Sequence, residues 1–175
     1  MRIVAGRWRG RQIQAPTDER IRPTGDKVRE AWMNIVQPHL PDARVVDLFA
    51  GSGALGLEAL SRGAASVEFV ENAPASLQLL REKAELLGAG AAAVITRGDA
   101  LHVARDAAAR PFDVAFADPP YRTGLAAQLA AQWLAAPFAR VLGIEHESSE
   151  QLPQADDTRR YGTTAITFYR MPVPT

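Results

Sequence analysis

A chain of 175 residues, 47% hydrophobic and 23% charged, suits a single domain with a real core. It has no cysteine, which excludes disulfides, thiolate catalysis and thiolate zinc ligation, and its 20 basic and 20 acidic side chains cancel. No apolar run approaches the length of a membrane span and the N-terminus has no signal-peptide core, so a cytoplasmic protein is expected.

The charge is unevenly spread. Residues 1–30 carry eight basic and four acidic side chains, and Arg2, Arg7, Arg9 and Arg11 precede the first acid. A basic arm on a mildly acidic body points to a polyanionic partner. Residues 2–6 and 11–15 alternate loosely around Gly6-Arg7-Trp8-Arg9-Gly10, which predicts a hairpin. A polar connector with Pro16 and Pro23 follows over residues 16–24. Thr24 is placed to cap a helix, with Lys27 rather than an acid three residues on, so no capping box forms. Val28, Ala31, Trp32, Ile35 and Val36 recur at helical spacing up to Pro38, and Trp32 is expected in the core. Pro38 and Pro41 then break the chain. Residues 1–40 are read as an N-terminal extension and 41–175 as the main domain.

From residue 44 strands and helices alternate. Strands are expected at 44–49, 66–71, 92–96, 112–118 and 138–145, and helices at 54–62, 73–87, 100–108 and 125–134. This order demands a mostly parallel sheet covered by helices on both faces, an α/β fold with right-handed crossovers. Residues 158–161 and 163–170 read as two strands with no helix between them, a closing antiparallel hairpin.

Ligands of such sheets bind beyond the carboxyl ends of the strands. Asp47 to Gly53, Glu71, Asp99 and Asp118 to Tyr121 all fall at or just after predicted strand ends. Gly51-Ser52-Gly53-Ala54-Leu55-Gly56 fits G-x-G-x-x-G, and Glu71 lies twenty residues on, which by itself fits NAD as well as S-adenosylmethionine. Three features favour the methyl donor. Asp47 sits before the glycines, where a carboxylate suits a cationic amino group better than a pyrophosphate. Asp99 follows the third strand, where it can accept from an adenine amine, although it is also a good N-cap for the helix from Ala100. Asp118-Pro119-Pro120-Tyr121 has no task in hydride transfer. It suits an exocyclic amine on a flat base: the Asp118 carboxylate or the Pro119 carbonyl accepts its hydrogen bonds, Pro120 helps fix the backbone, and Tyr121 stacks.

The stretch Asp47-Leu48-Phe49-Ala50-Gly51-Ser52-Gly53-Ala54-Leu55-Gly56-Leu57-Glu58-Ala59, the later Asp118-Pro119-Pro120-Tyr121, and the openings Arg2 to Arg11 and Arg22-Pro23-Thr24-Gly25-Asp26-Lys27-Val28-Arg29-Glu30 resemble the RsmD family. The resemblance implies a class I S-adenosylmethionine-dependent methyltransferase, a Rossmann-like seven-stranded sheet that methylates the exocyclic N2 of a guanine in 16S ribosomal RNA within a small-subunit assembly. It implies a cofactor held by Asp47, Phe49, Ala50, Gly51, Ser52, Gly53, Glu71, Asn72, Asp99, Ala100 and Asp118. It implies RNA gripped by Arg7, Trp8, Arg9, Arg11 and Arg22. Trp8 has an equal claim to pack the hairpin onto the body. The histidines, His39, His102 and His146, lie far apart with no ligand spacing and read as surface or incidental groups, so no metal is assigned. A monomer is expected. Rival readings are an adenine-N6 methyltransferase acting on DNA or RNA, and a non-catalytic RNA-binding module.

Overall fold

A computed structural model of the chain describes residues 1–13 and 25–173, so Arg22, Thr24 and the connector of residues 16–24 lie outside the described residues. Helix α1 (Asp26–Val36) leads through a 3-10 turn into β1 (Arg44–Leu48). The alternation then runs α2 (Ala54–Ser61), β2 (Ser66–Glu71), α3 (Pro74–Leu86), β3 (Ala93–Arg97), α4 (Ala100–Ala107), β4 (Phe112–Ala117), α5 (Leu125–Ala135) and β5 (Ala139–Glu147). Two strands close the chain, β6 (Asp157–Tyr161) and β7 (Thr164–Arg170).

The seven strands form one sheet in the order β3-β2-β1-β4-β5-β7-β6. The first five are parallel, and β7 runs antiparallel to both β5 and β6. The expected mostly parallel seven-stranded sheet with a C-terminal antiparallel hairpin is therefore present. Because the pleat sends neighbouring residues to opposite faces, Val45 and Val46 enter two different cores. On one face α1, α2 and α3 pack over Val45, Val67, Phe69 and Phe116. On the other α4 and α5 pack over Val46, Leu48, Val70 and Ala117. Trp32 is fully buried, edge-on to Phe116 at 5.5 Å between ring centroids.

The N-terminal hairpin is present, and two other expectations change. Among the described residues the N-terminal segment folds back as a hairpin, with the antiparallel bridge Arg2 to Gln12 flanked by Ile3 N–H to Arg11 carbonyl (2.9 Å) and Ile13 N–H to Met1 carbonyl (2.7 Å). Its Ile3, Trp8 and Ile13 side chains are drawn into the main core, which docks the hairpin on the body. The helix α1 is capped by Gly25, without a side-chain cap bond. Among the histidines, His146 is not a surface group. It is 2% exposed; its Nδ1–H donates to the Glu147 carbonyl (2.8 Å) and its Nε2 accepts from the Thr167 hydroxyl (2.7 Å), so burial holds its pKa below the usual value and the ring neutral.

The docking of the N-terminal turn has a clear physical basis. Glu58 on α2 is 1% exposed and accepts the Val4 N–H (2.9 Å) and the Ala5 N–H (3.4 Å). Arg62 lies 3.6 Å and Arg29 4.0 Å from the same carboxylate, and Arg29 also donates to the Arg2 carbonyl (2.9 Å) and to Asp26. Ser61 completes the attachment: its hydroxyl donates to the Ala5 carbonyl (2.6 Å) and accepts the Trp8 N–H (3.0 Å), and its carbonyl accepts the Arg7 N–H (2.9 Å). Only glycine fits at Gly6, where φ is +87° and a Cβ would collide with the Ser61 carbonyl.

Candidate active site

The strand order reverses between β1 and β4, and a cleft of about 490 Å³ opens at their carboxyl ends. That volume is within the range of small-molecule sites. Of the residues expected around a cofactor, Asp47, Phe49, Ala50, Gly51, Ser52, Glu71, Asn72, Asp99, Ala100 and Asp118 all line it. Pro119, Pro120 and Tyr121 line it too. Gly53 does not line the cleft; it starts α2 with φ +79°, and Leu80 of α3 packs where its side chain would be.

The acids of the cleft are held by local partners. Asp47, 1% exposed, accepts the Gly56 N–H (3.0 Å). Burial raises its pKa well above the ordinary carboxylate value, against the pull of that hydrogen bond, and the charges of Asp118 and Glu71 raise it further. Glu71 accepts the Gly51 N–H (2.7 Å) through one oxygen and the Asn72 and Ala73 N–H groups (both 3.0 Å) through the other. Asp99 caps α4 by accepting the His102 N–H (3.1 Å), and still lines the cleft. Capping and ligand contact are compatible at this position.

These bonds, together with the charge of the lining, bear on the two cofactors that fit the glycine motif. A pyrophosphate needs free backbone N–H groups at the helix start. Here the Gly51 and Gly56 N–H groups are taken by carboxylates, and the Gly53 N–H by the Ala50 carbonyl (2.8 Å). Four carboxylates, Asp47, Glu71, Asp99 and Asp118, face the cleft, and among the described residues no lysine, arginine or histidine lines it. Such a lining repels a dianion and suits a cation, so the residues present fit S-adenosylmethionine and do not fit NAD.

The wall after β4 is braced from the C-terminal hairpin. The Tyr121 hydroxyl is 3.0 Å from the Thr164 hydroxyl, and Arg122, held at φ +62°, pairs with Glu147 at 3.0 Å. Because β7 begins where β5 ends, in the register Glu147 to Thr164, this turn is fixed to the sheet edge on that side.

The basic residues of the N-terminus are placed elsewhere. Arg7, Arg9 and Arg11 are exposed. Arg7 lies over the Trp8 ring at 4.2 Å, and Arg11 donates to the Leu86 carbonyl (3.3 Å). The turn docks on the far end of α2, one helix length or roughly 12 Å from the glycine loop. Trp8, a candidate for stacking on RNA, is 7% exposed with Arg7 over its ring. Packing of the hairpin on the body is the role its burial permits.

Several residues of the site were not evident from the sequence. Ser76 lines the cleft, and Lys83 reaches the Ser52 carbonyl (3.0 Å). The available signal was the spacing of Ser76, Leu80 and Lys83 along one face of α3. Glu58 was visible two residues after the glycine motif, but its partners in the N-terminal turn are more than fifty residues away in sequence.

Comparison with known proteins agrees with this architecture. Residues 1–170 match the family described as Conserved hypothetical protein 95. Ribosomal RNA small subunit methyltransferase D of Escherichia coli (strain K12) is 43% identical over 125 residues, which take in 71% of this chain and 62% of that protein. The chain thus aligns with less than two thirds of the length of that relative. The protein of the same name from Haemophilus influenzae is 36% identical over 180 residues, covering 98% of this chain and 92% of the relative. Among solved structures, a hypothetical protein of Thermus thermophilus superposes with a TM-score of 0.85 at 31% identity, covering 98% of this chain and 99% of the other. The strand order and the antiparallel closing hairpin are those of class I methyltransferases. With the match running over nearly the whole length, from the basic turn to the end of β7, the chain belongs to the family of Conserved hypothetical protein 95, the RsmD family.

Proposed function

We propose that this chain transfers a methyl group from S-adenosylmethionine to the exocyclic N2 amine of a guanine in small-subunit ribosomal RNA. The observation that carries the reading is the convergence of the acid-lined glycine loop and Asp118-Pro119-Pro120-Tyr121 on one cleft. The names of the relatives support an rRNA substrate and a methyl-transfer reaction. The first forty residues serve in this reading as an RNA-binding extension.

Bound S-adenosylmethionine supplies an electrophilic methyl group on a sulfonium. Asp47 is placed to receive its ammonium, Glu71 its ribose hydroxyls and Asp99 its adenine amine. The chain's remaining work is positional and electrostatic. The guanine amine is a weak nucleophile because its lone pair is delocalised into the ring. Asp118, or the Pro119 carbonyl, accepts hydrogen bonds from that amine and holds the lone pair out of conjugation. Its proton can leave after attack, so no strong base is needed. Tyr121 stacks on the flipped base.

Two outcomes follow from these roles. Tyr121→Ala should lower kcat/KM roughly 10- to 100-fold, given about 1–3 kcal/mol per stacked base. Tyr121→Phe, which removes only the hydroxyl facing Thr164, should stay within about 3-fold. Equal losses in steady-state assays of both variants would assign the role to the hydroxyl instead. Replacing Arg7, Arg9 and Arg11 together by glutamine should weaken RNA binding and flatten its log–log salt dependence by up to about 2–3 units. Affinity for S-adenosylhomocysteine should not change; a collapse there would make the arm purely structural.

The deciding experiment is incubation with labelled S-adenosylmethionine and small subunits lacking the modification, followed by mass spectrometry of nuclease fragments. N2-methylguanine in 16S RNA is the expected product. Label on adenine N6 would move the reading to the adenine class, and absence of label would leave an RNA-binding module.

A further inference from the structure

Helix α3 packs beneath the glycine loop through one face. Ser76 lines the cleft, Leu80 fills the space beside Gly53, and Lys83, one turn further on, donates from Nζ to the Ser52 carbonyl at 3.0 Å. Lys83 is 5% exposed. Among the described residues it makes no ion pair, and its hydrogen bond goes to the peptide of a residue that itself lines the cleft. Burying an ammonium without a carboxylate is unfavourable, and a methionine would fill the same space at no such cost. Desolvation is felt by the group, whose pKa is lowered by burial.

The loop is held at several points. Its conformation includes Gly51 at φ +54° and Gly53 at φ +79°, and the nitrogen end of the Ser52–Gly53 peptide is held by the Ala50 carbonyl, which accepts the Gly53 N–H at 2.8 Å. Glu71 fixes the peptide nitrogen before Ser52, and Asp47 fixes Gly56 after it. None of these three bonds reaches the Ser52 carbonyl, the other end of that peptide, which Lys83 holds. We infer that Lys83 is a positioning residue for the methyl-donor site: its ammonium sets the orientation of the Ser52–Gly53 peptide, so that the loop is shaped for the donor before the donor arrives. This rests on the proposed cofactor. The role lies in binding, since Lys83 bonds to the Ser52 carbonyl and is not among the residues that line the cleft with Asp118-Pro119-Pro120-Tyr121.

The test compares Lys83→Met and Lys83→Arg with the unaltered chain. Calorimetry with S-adenosylhomocysteine gives the affinity, and steady-state methylation gives KM and kcat. Lys83→Met should weaken S-adenosylhomocysteine about 10-fold and raise KM for S-adenosylmethionine in parallel. At saturating donor kcat should stay within about 2-fold, and KM for RNA should not move. Lys83→Arg, which keeps a donor, should recover most of the affinity. A role in stability alone would lower the melting temperature and leave the donor affinity and the KM-to-kcat split unchanged. That result, or equal affinities for all three proteins, overturns the inference. Should Lys83→Met fail to fold, Lys83→Leu, which also removes the donor, is read in the same assays against the same expectation. If the unaltered chain binds no S-adenosylhomocysteine, the methyl-donor reading fails and the inference falls with it; normal binding with an unaffected Lys83→Met sinks the inference alone.

Discussion

Asp118→Ala is expected to lower kcat for methyl transfer by about 10²- to 10³-fold, the scale on which one pre-organised polar group at a reacting centre acts. The residue follows β4 directly, after Ala117 has paired with Leu48 of β1 and Ile144 of β5, so its backbone is fixed from both sides. Affinity for S-adenosylhomocysteine should change far less than kcat. Asp118→Asn, which keeps a carbonyl acceptor, should be milder than alanine. A second signature comes from Asp47, whose pKa is raised chiefly by burial and in part by the charge of Asp118. Removing that charge should lower the Asp47 pKa, measurable by carboxyl carbon NMR. Single-turnover assays check the first claim; a kcat for Asp118→Ala near that of the unaltered chain would leave the amine to the Pro119 carbonyl.

Glu58→Ala should cost about 3–5 kcal/mol of stability, the range for removing one partner from a buried ion pair. For a domain of this size that corresponds to a fall of about 6–20 °C in melting temperature. The reason is local. Glu58 is the carboxylate beside the buried Arg29 and Arg62, and it receives two N–H groups of the N-terminal turn. Deleting it leaves Arg29 with the exposed Asp26 as its ion-pair partner, leaves Arg62 with none among the described residues, and frees the Val4 and Ala5 N–H groups. Glu58→Gln, which keeps an acceptor, should lose less. Thermal unfolding followed by circular dichroism tests this, and a shift under about 2 °C, below the effect of a single kilocalorie, would mean that the turn is held by Ser61 and the core contacts alone. Because α2 begins at the glycine loop and ends at the turn, the variant also reports whether the turn must be docked for RNA to be bound.

The positions of strands and helices were largely legible, for identifiable reasons. The run Ser66–Glu71 was bounded by Gly63 and Pro74, and its strand has the predicted limits. The helix of α4 had Asp99 in front of it, and that residue does cap it. β5 runs two residues past its predicted end, to Glu147, because β7 supplies a partner as far as Thr164. A strand's length is set by its neighbour, and the neighbour is not local in sequence.

What the sequence determined by itself was everything encoded at short range: the alternation of strand and helix, the glycines that permit a left-handed loop, and the chemistry of the acids at the strand ends. The tertiary structure alone decided which of those groups share a space and which are occupied. It placed Trp8 in the core, closed the loop's N–H groups with Glu71 and Asp47, put Lys83 under Ser52, and set the basic turn a helix length from the cleft. Local preference fixes the conformation of each segment, whereas burial and hydrogen-bond partnership are properties of pairs brought together only when the sheet forms.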